Sequence, residues 1–147
     1  MASETASAAR AAIAALVYEY AERIDAGDLG GVAGLFAEAT YRGAQGGTYR
    51  GRDAVLTVLR QRVILHGDGT PRTKHVTTNL VVDVADGATT AAARSYFTVY
   101  QQVEGGPLQA IVAGRYHDRF IHDGSAWRFA DRLIHVDLVG DLSRHLR

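Results

Sequence analysis

Apolar residues recur at offsets of three and four along the first part of the chain. Ile13, Leu16, Val17, Tyr20, Ala21 and Ile24 fall on one stripe, the period of an amphipathic helix of about four to five turns. Gly27 is placed to stop that helix, and Asp28 to cap a short second one through Leu35 and Phe36. Gly30, Gly31 and Gly34 weaken the second segment. Asp53 reads as the cap of a third helix through Val55, Leu56, Val58, Leu59 and Val63.

Beyond Pro71 the pattern changes. Segments 76–84, 89–103, 108–121 and 127–138 are rich in β-branched and aromatic residues, and Asp86-Gly87, Gly105-Gly106 and Asp123-Gly124 separate them as hairpin turns. This predicts a four-stranded antiparallel meander. Several of its strands run well past the usual five or six residues, and strands that long twist and bulge, which curls the sheet. Helices first and strands afterwards is the α+β order. A curled sheet with helices on its concave side leaves an open end, which is a natural pocket.

The 147 residues fit one domain, 1–147, with segments 1–8 and 141–147 expected as less ordered tails. Sixteen basic and sixteen acidic side chains cancel, so nothing electrostatic draws the chain to nucleic acid or to acidic lipid. There is no cysteine, hence no disulfide framework and no thiolate chemistry. The first ten residues lack the basic-then-apolar order of a signal peptide, and no segment approaches the roughly 20 apolar residues of a membrane span. The expected location is the cytoplasm.

Seven segments carry a family likeness. They are Tyr20-Ala-Glu-Arg-Ile-Asp25-Ala-Gly-Asp28, Leu35-Phe36-Ala37-Glu38, Tyr49-Arg-Gly-Arg-Asp53-Ala-Val, Lys74-His75-Val-Thr-Thr-Asn79, Arg94-Ser95-Tyr96, Gly114-Arg-Tyr116-His-Asp118 and Asp123-Gly-Ser-Ala-Trp127-Arg-Phe-Ala-Asp131-Arg132. Taken in that order, the chain resembles the SnoaL-like branch of the nuclear transport factor 2-like superfamily. The resemblance implies a cone-shaped barrel, a curved antiparallel sheet with three N-terminal helices packed on its concave face around a central pocket. It also implies a homodimer formed through the outer sheet face. Relatives include polyketide cyclases, scytalone and bile-acid dehydratases, ketosteroid isomerases and structural small subunits of ring-hydroxylating dioxygenases, so the fold leaves the reaction open. In the dehydratase-like relatives the catalytic set includes a Tyr and an Asp on the first helix and a His at the start of a strand. These carry over to Tyr20, Asp25 and His75. A fourth polar residue follows on the next strand, where this chain offers Ser95, Tyr96 or Thr98 and no carboxylate, a departure from the bile-acid pattern.

The residues themselves bear on that set. Asp25 lies off the centre of the apolar stripe and in the last turn of its helix, where a negative charge opposes the macrodipole by about 0.3–1 kcal/mol. It is either an ordinary solvated acid or one held there for another purpose. His75 is the candidate base, since imidazole exchanges a proton near neutral pH. By strand alternation it shares a face with Thr77, Asn79 and Val81, which makes Asn79 a candidate substrate contact. Tyr20 sits at the centre of the core stripe, as a core tyrosine or as a donor to substrate. Tyr116, Thr98, His135 and Phe36 complete the expected substrate-binding set.

Other chemistries lack their residues. His117 and His122 are five apart on one strand and face opposite sides, so they cannot share a metal. His66 and His145 read as loop and tail residues. There is no phosphate loop ending in Lys-Ser/Thr and no Gly-x-Ser-x-Gly elbow. No metal and no cofactor is expected. The favoured reading is a cofactor-independent lyase or isomerase, dehydratase- or cyclase-like. In it a His75–Asp25 dyad transfers a proton on a hydrophobic, oxygenated small molecule. The alternative is a non-catalytic ligand-binding domain or structural subunit.

Overall fold

The computed structural model describes the backbone of residues 2–147 and side chains from residue 5 onward. Helices α1 (Ala2–Asp25) and α2 (Leu29–Leu35) come first, then short strands β1 (Thr40–Arg42) and β2 (Thr48–Arg50) and helix α3 (Arg52–Arg62). Four long strands follow, β3 (Thr73–Val84), β4 (Thr90–Gln101), β5 (Gln109–His122) and β6 (Trp127–Val139).

Helix α1 buries its predicted stripe: Ile13, Val17, Tyr20 and Ile24 are all in the core, and the helix packs on β3 and β6. It starts earlier than expected. Residues 2–8, read above as a tail, are its first turns, and the alanines there are the best intrinsic helix formers. Asp28 caps α2 as predicted, its Oδ1 accepting from the Gly31 N–H at 2.9 Å. The cap of α3 is Gly51 (φ 83°), and Asp53 sits inside the first turn instead, where its charge complements the macrodipole.

The sheet order is β2-β1-β6-β5-β4-β3. The four long strands form the predicted antiparallel run. Strand β1 pairs parallel to β6 with Tyr41 opposite Arg132, so the six-stranded sheet is mixed, and it stays open between β2 and β3. Strands β1 and β2 have three residues each, too few to leave a periodic signature.

Strand β3 carries a bulge between Thr78 and Val81, with Asn79 at φ 53°. The extra residue reverses which positions face the core. Thr73, His75 and Thr77 turn inward before it, Leu80, Val82 and Val84 after it. One strand thereby offers a polar inner half and an apolar inner half.

The C-terminal segment 141–147, read above as a loose tail, is tied down. Ile64 N–H donates to the His145 carbonyl at 2.8 Å, Arg147 N–H to the Arg62 carbonyl at 2.9 Å, and Leu146 bridges Val63. The Gln101 side chain donates to the Arg144 carbonyl at 3.0 Å. Among the described residues, no helix is long and apolar enough to cross a membrane.

Candidate active site

A cavity of about 320 Å³ opens between α1, α3, the inner sheet face, the β1–β2 loop and the C-terminal segment. Its wall is mainly apolar, from residues such as Ile24, Phe97, Val99 and Val136; Tyr20, Tyr41, His75 and His145 are among its polar points, and Gln45, Tyr49, Arg62 and Tyr116 also line it.

Asp25 ends α1, and β3 passes beside it. Its Oδ2 accepts the His75 backbone N–H at 2.9 Å, and its Oδ1 accepts the Thr73 hydroxyl at 2.8 Å. Oδ1 also lies 2.7 Å from His75 Nδ1. The two side chains are only 10% and 8% exposed. Burial pushes the Asp25 carboxyl up, but the His75 ring and backbone and the Thr73 hydroxyl outweigh it and hold the group below the usual carboxylate range. A carboxylate at Nδ1 fixes the tautomer. In the neutral ring this places the proton on Nδ1 and leaves the lone pair on Nε2. The unfavourable placement of Asp25 at a helix C-terminus is offset by these three hydrogen bonds.

Opposite the dyad, the Tyr20 and Tyr41 hydroxyls are 3.1 Å apart. Burial pushes both phenols up, Tyr41 well above its ordinary value, so both stay protonated and able to donate. Beneath them lies a buried ion pair. Arg132 grips Asp118 through two bonds of 2.8 and 2.9 Å, with both side chains fully buried. The guanidinium stands 3.7 Å from the Tyr116 ring centre and 4.3 Å from that of Tyr20, a stacking range for cation–π contact. Burial works against its charge, but Asp118 more than compensates and raises the Arg132 pKa. The pair is a charged floor that holds Tyr20 and Tyr116 in place.

Of the residues expected at the site, Tyr20, His75 and Tyr116 line the cavity, and Asp25 stands directly behind His75. Four others lie elsewhere. Asn79 is exposed in the β3 bulge, because the bulge breaks the alternation that put it beside His75. Thr98 faces the outer side, between inward Phe97 and Val99. His135 lies on the outer face, its ring 4.9 Å from that of His117, while its neighbours Ile134 and Val136 line the cavity. Phe36 is fully buried one layer back, stacked on Phe129 at 4.8 Å and edge-on to Tyr41 at 5.1 Å.

Sequence reasoning missed Tyr41, the Asp118–Arg132 pair and His145. One signal was present for the pair. Asp118 alternates with Tyr116 and Phe120 on one strand face, and an acid between aromatics on a core face needs a buried cation. Tyr41 lies on a strand too short to read. His145 follows Leu142 by three positions and precedes Leu146, a faint apolar spacing that marks a packed segment.

Residues 5–133 match the SnoaL-like domain. The chain belongs to the SnoaL-like family. No curated protein matches it significantly. Among solved structures, it is similar to a protein of Novosphingobium aromaticivorans DSM 12444 provisionally named a scytalone dehydratase, with 23% identity, TM-score 0.75, and coverage of 95% of this chain and 91% of that one. It is also similar to the hexachlorocyclohexane dehydrochlorinase LinA-type3 of Novosphingobium barchaimii LL02 (20%, 0.75, 96% and 94%). A third is the β subunit of a provisionally named aromatic-ring-hydroxylating dioxygenase from N. aromaticivorans DSM 12444 (18%, 0.73, 95% and 97%). At these identities the likeness to solved structures shows the cone-shaped α+β fold that this SnoaL-like chain adopts.

Proposed function

We propose that this SnoaL-like protein is a cofactor-independent lyase or isomerase that moves a proton on a hydrophobic carbonyl compound. The carrying observation is the 2.7 Å contact between His75 Nδ1 and Asp25 Oδ1 at the wall of an open apolar cavity. His75 Nε2 takes a proton from the carbon α to the carbonyl, and Asp25 stabilises the imidazolium that forms. The Tyr20–Tyr41 pair donates to the carbonyl oxygen as the enolate develops. In a dehydration, the C–H electrons form the C=C bond, the β C–O bond breaks, and the departing oxygen takes the proton from His75 to leave as water. In an isomerisation, the proton returns to another carbon. Asp118 is held by Arg132 and offers no free carboxylate for either step.

The test is 3-hydroxy-1-tetralone, whose dehydration yields 1-naphthol. The expected result is cofactor-free formation of 1-naphthol, or exchange of the C2 proton in D₂O, that falls about 10²–10⁴-fold in a folded His75→Ala variant. Activity that survives His75→Ala overturns the assignment of the base. Binding without turnover or exchange would favour the ligand-binding alternative.

The same reading includes a homodimer through the outer sheet face. Val76, Thr98, Ala113 and Leu138 form one cross-strand row there, and Tyr96, Tyr100 and Leu138 are exposed beside and within it. This is the kind of apolar patch that a second protomer covers.

A further inference from the structure

His145 is buried against the cavity, yet the C-terminal segment that carries it is anchored only through its backbone and its neighbours. The His145 carbonyl accepts from Ile64, the Arg144 carbonyl accepts from Gln101 and contacts His66 Nε2 at 2.9 Å, and Leu146 bridges Val63. The imidazole itself has no hydrogen-bond partner among the described residues. Its Nδ1 is sealed from solvent and unpaired, and the residue is 5% exposed while lining the cavity. A buried polar group is normally satisfied. Here the segment is fixed, so the ring is held ready for something that enters the cavity.

Its hydrogen-bonding state follows from that geometry. An unpaired buried N–H is rarer than an unpaired buried acceptor, so the sealed Nδ1 is the bare nitrogen and the proton sits on Nε2. Burial, with the nearby His75 adding to it, pushes the ring down to about 4, so it is neutral at neutral pH and a weak base. The ring centres of His75 and His145 are 5.8 Å apart and nearly perpendicular. One imidazole therefore offers a lone pair to the cavity and its neighbour offers an N–H.

We infer that His145 is a specificity-determining contact of the same site, its Nε2–H donating to a second oxygen of the ligand beside the carbon that His75 deprotonates. This deepens the reading under Proposed function and rests on it. The ligand class is then a β-oxygenated carbonyl compound. A polyhalogenated hydrocarbon is disfavoured, because organic chlorine is a poor acceptor and would leave the Nε2–H at the cavity unpaired.

The experiment reads binding rather than turnover. Two inert ligands of one skeleton, 1,3-dihydroxynaphthalene and 3-chloro-1-naphthol, are titrated calorimetrically at pH 7. The protein is expected to prefer the dihydroxy compound at least about tenfold. That preference should fall to near unity in His145→Phe and recover in part in His145→Gln, which keeps a donor. Long-range ¹H–¹⁵N spectra should show the His145 ring nitrogens moving with the dihydroxy compound and not with the chloro compound. A preference unchanged in His145→Phe, or near unity in the wild type, overturns the inference. Loss of turnover in His75→Ala with the preference intact leaves it standing. Failure of both compounds to bind overturns the pocket reading and this one together.

Discussion

The dyad and the floor beneath it illustrate how single side chains here are fixed by several partners at once. Asp25 serves a backbone amide, a hydroxyl and an imidazole, so its removal would free the ring and the start of β3 together. His145 is the opposite case, a buried ring with nothing to hold. Both groups bind fewer protons folded than unfolded, since Asp25 is held low and His145 is pushed to about 4 from an ordinary 6.5. Stability is therefore full above the unfolded value of each group and is lost as pH falls. The His145 share goes first, between about 6.5 and 4, and amounts to at most about 3 kcal/mol. The titratable groups that act on it are His75, Asp25 and His66. Urea midpoints at pH 7 and pH 4.5 measure the slope, and His145→Gln should flatten it. A His145→Gln slope as steep as the wild type would show that another group carries the loss.

Among the elements, β5 depends most on one small residue. A Cβ at Gly114 would stand 2.0 Å from the His135 carbonyl oxygen on β6 and 2.7 Å from the Phe97 ring on β4. The register of β5 on β6 shifts at this point, so both neighbours close in. Gly114→Ala is expected to cost about 1–3 kcal/mol or more by overpacking, seen as a lowered urea midpoint. An unchanged midpoint would mean that the sheet yields there freely. The strands themselves were legible, because apolar runs between Asp-Gly and Gly-Gly turns report on local chemistry. The faces were legible only where alternation is unbroken. His75 and Tyr116 were placed correctly, whereas Asn79 was misplaced because a bulge is set by pairing with β4 and not by the strand's own residues.

For the whole molecule, the order of helices before strands was enough to give the α+β class and the pocket. The parallel pairing of β1 with β6, the buried Asp118–Arg132 contact and the docking of segment 141–147 were not legible, since each joins residues distant in sequence. Their partners become visible only once the chain has closed on itself. The outer face makes a prediction at this scale. If two protomers meet there, sedimentation should report a dimer, and a Leu138→Asp change should raise its dissociation constant at least about tenfold while the monomer stays folded. A monomeric wild type at high concentration would exclude the interface.

The bulge in β3 has one more implication, for how such a protein can diversify. Because it separates the half that carries His75 and the Asp25-bound Thr73 from the half that packs on the hydrophobic interior, the strand behaves as two modules joined by a swivel. Substitutions at His75 or Thr73 can retune the dyad without disturbing Leu80, Val82 and Val84. A lineage can therefore explore new reactions on this strand while its structural half stays under unchanged selection.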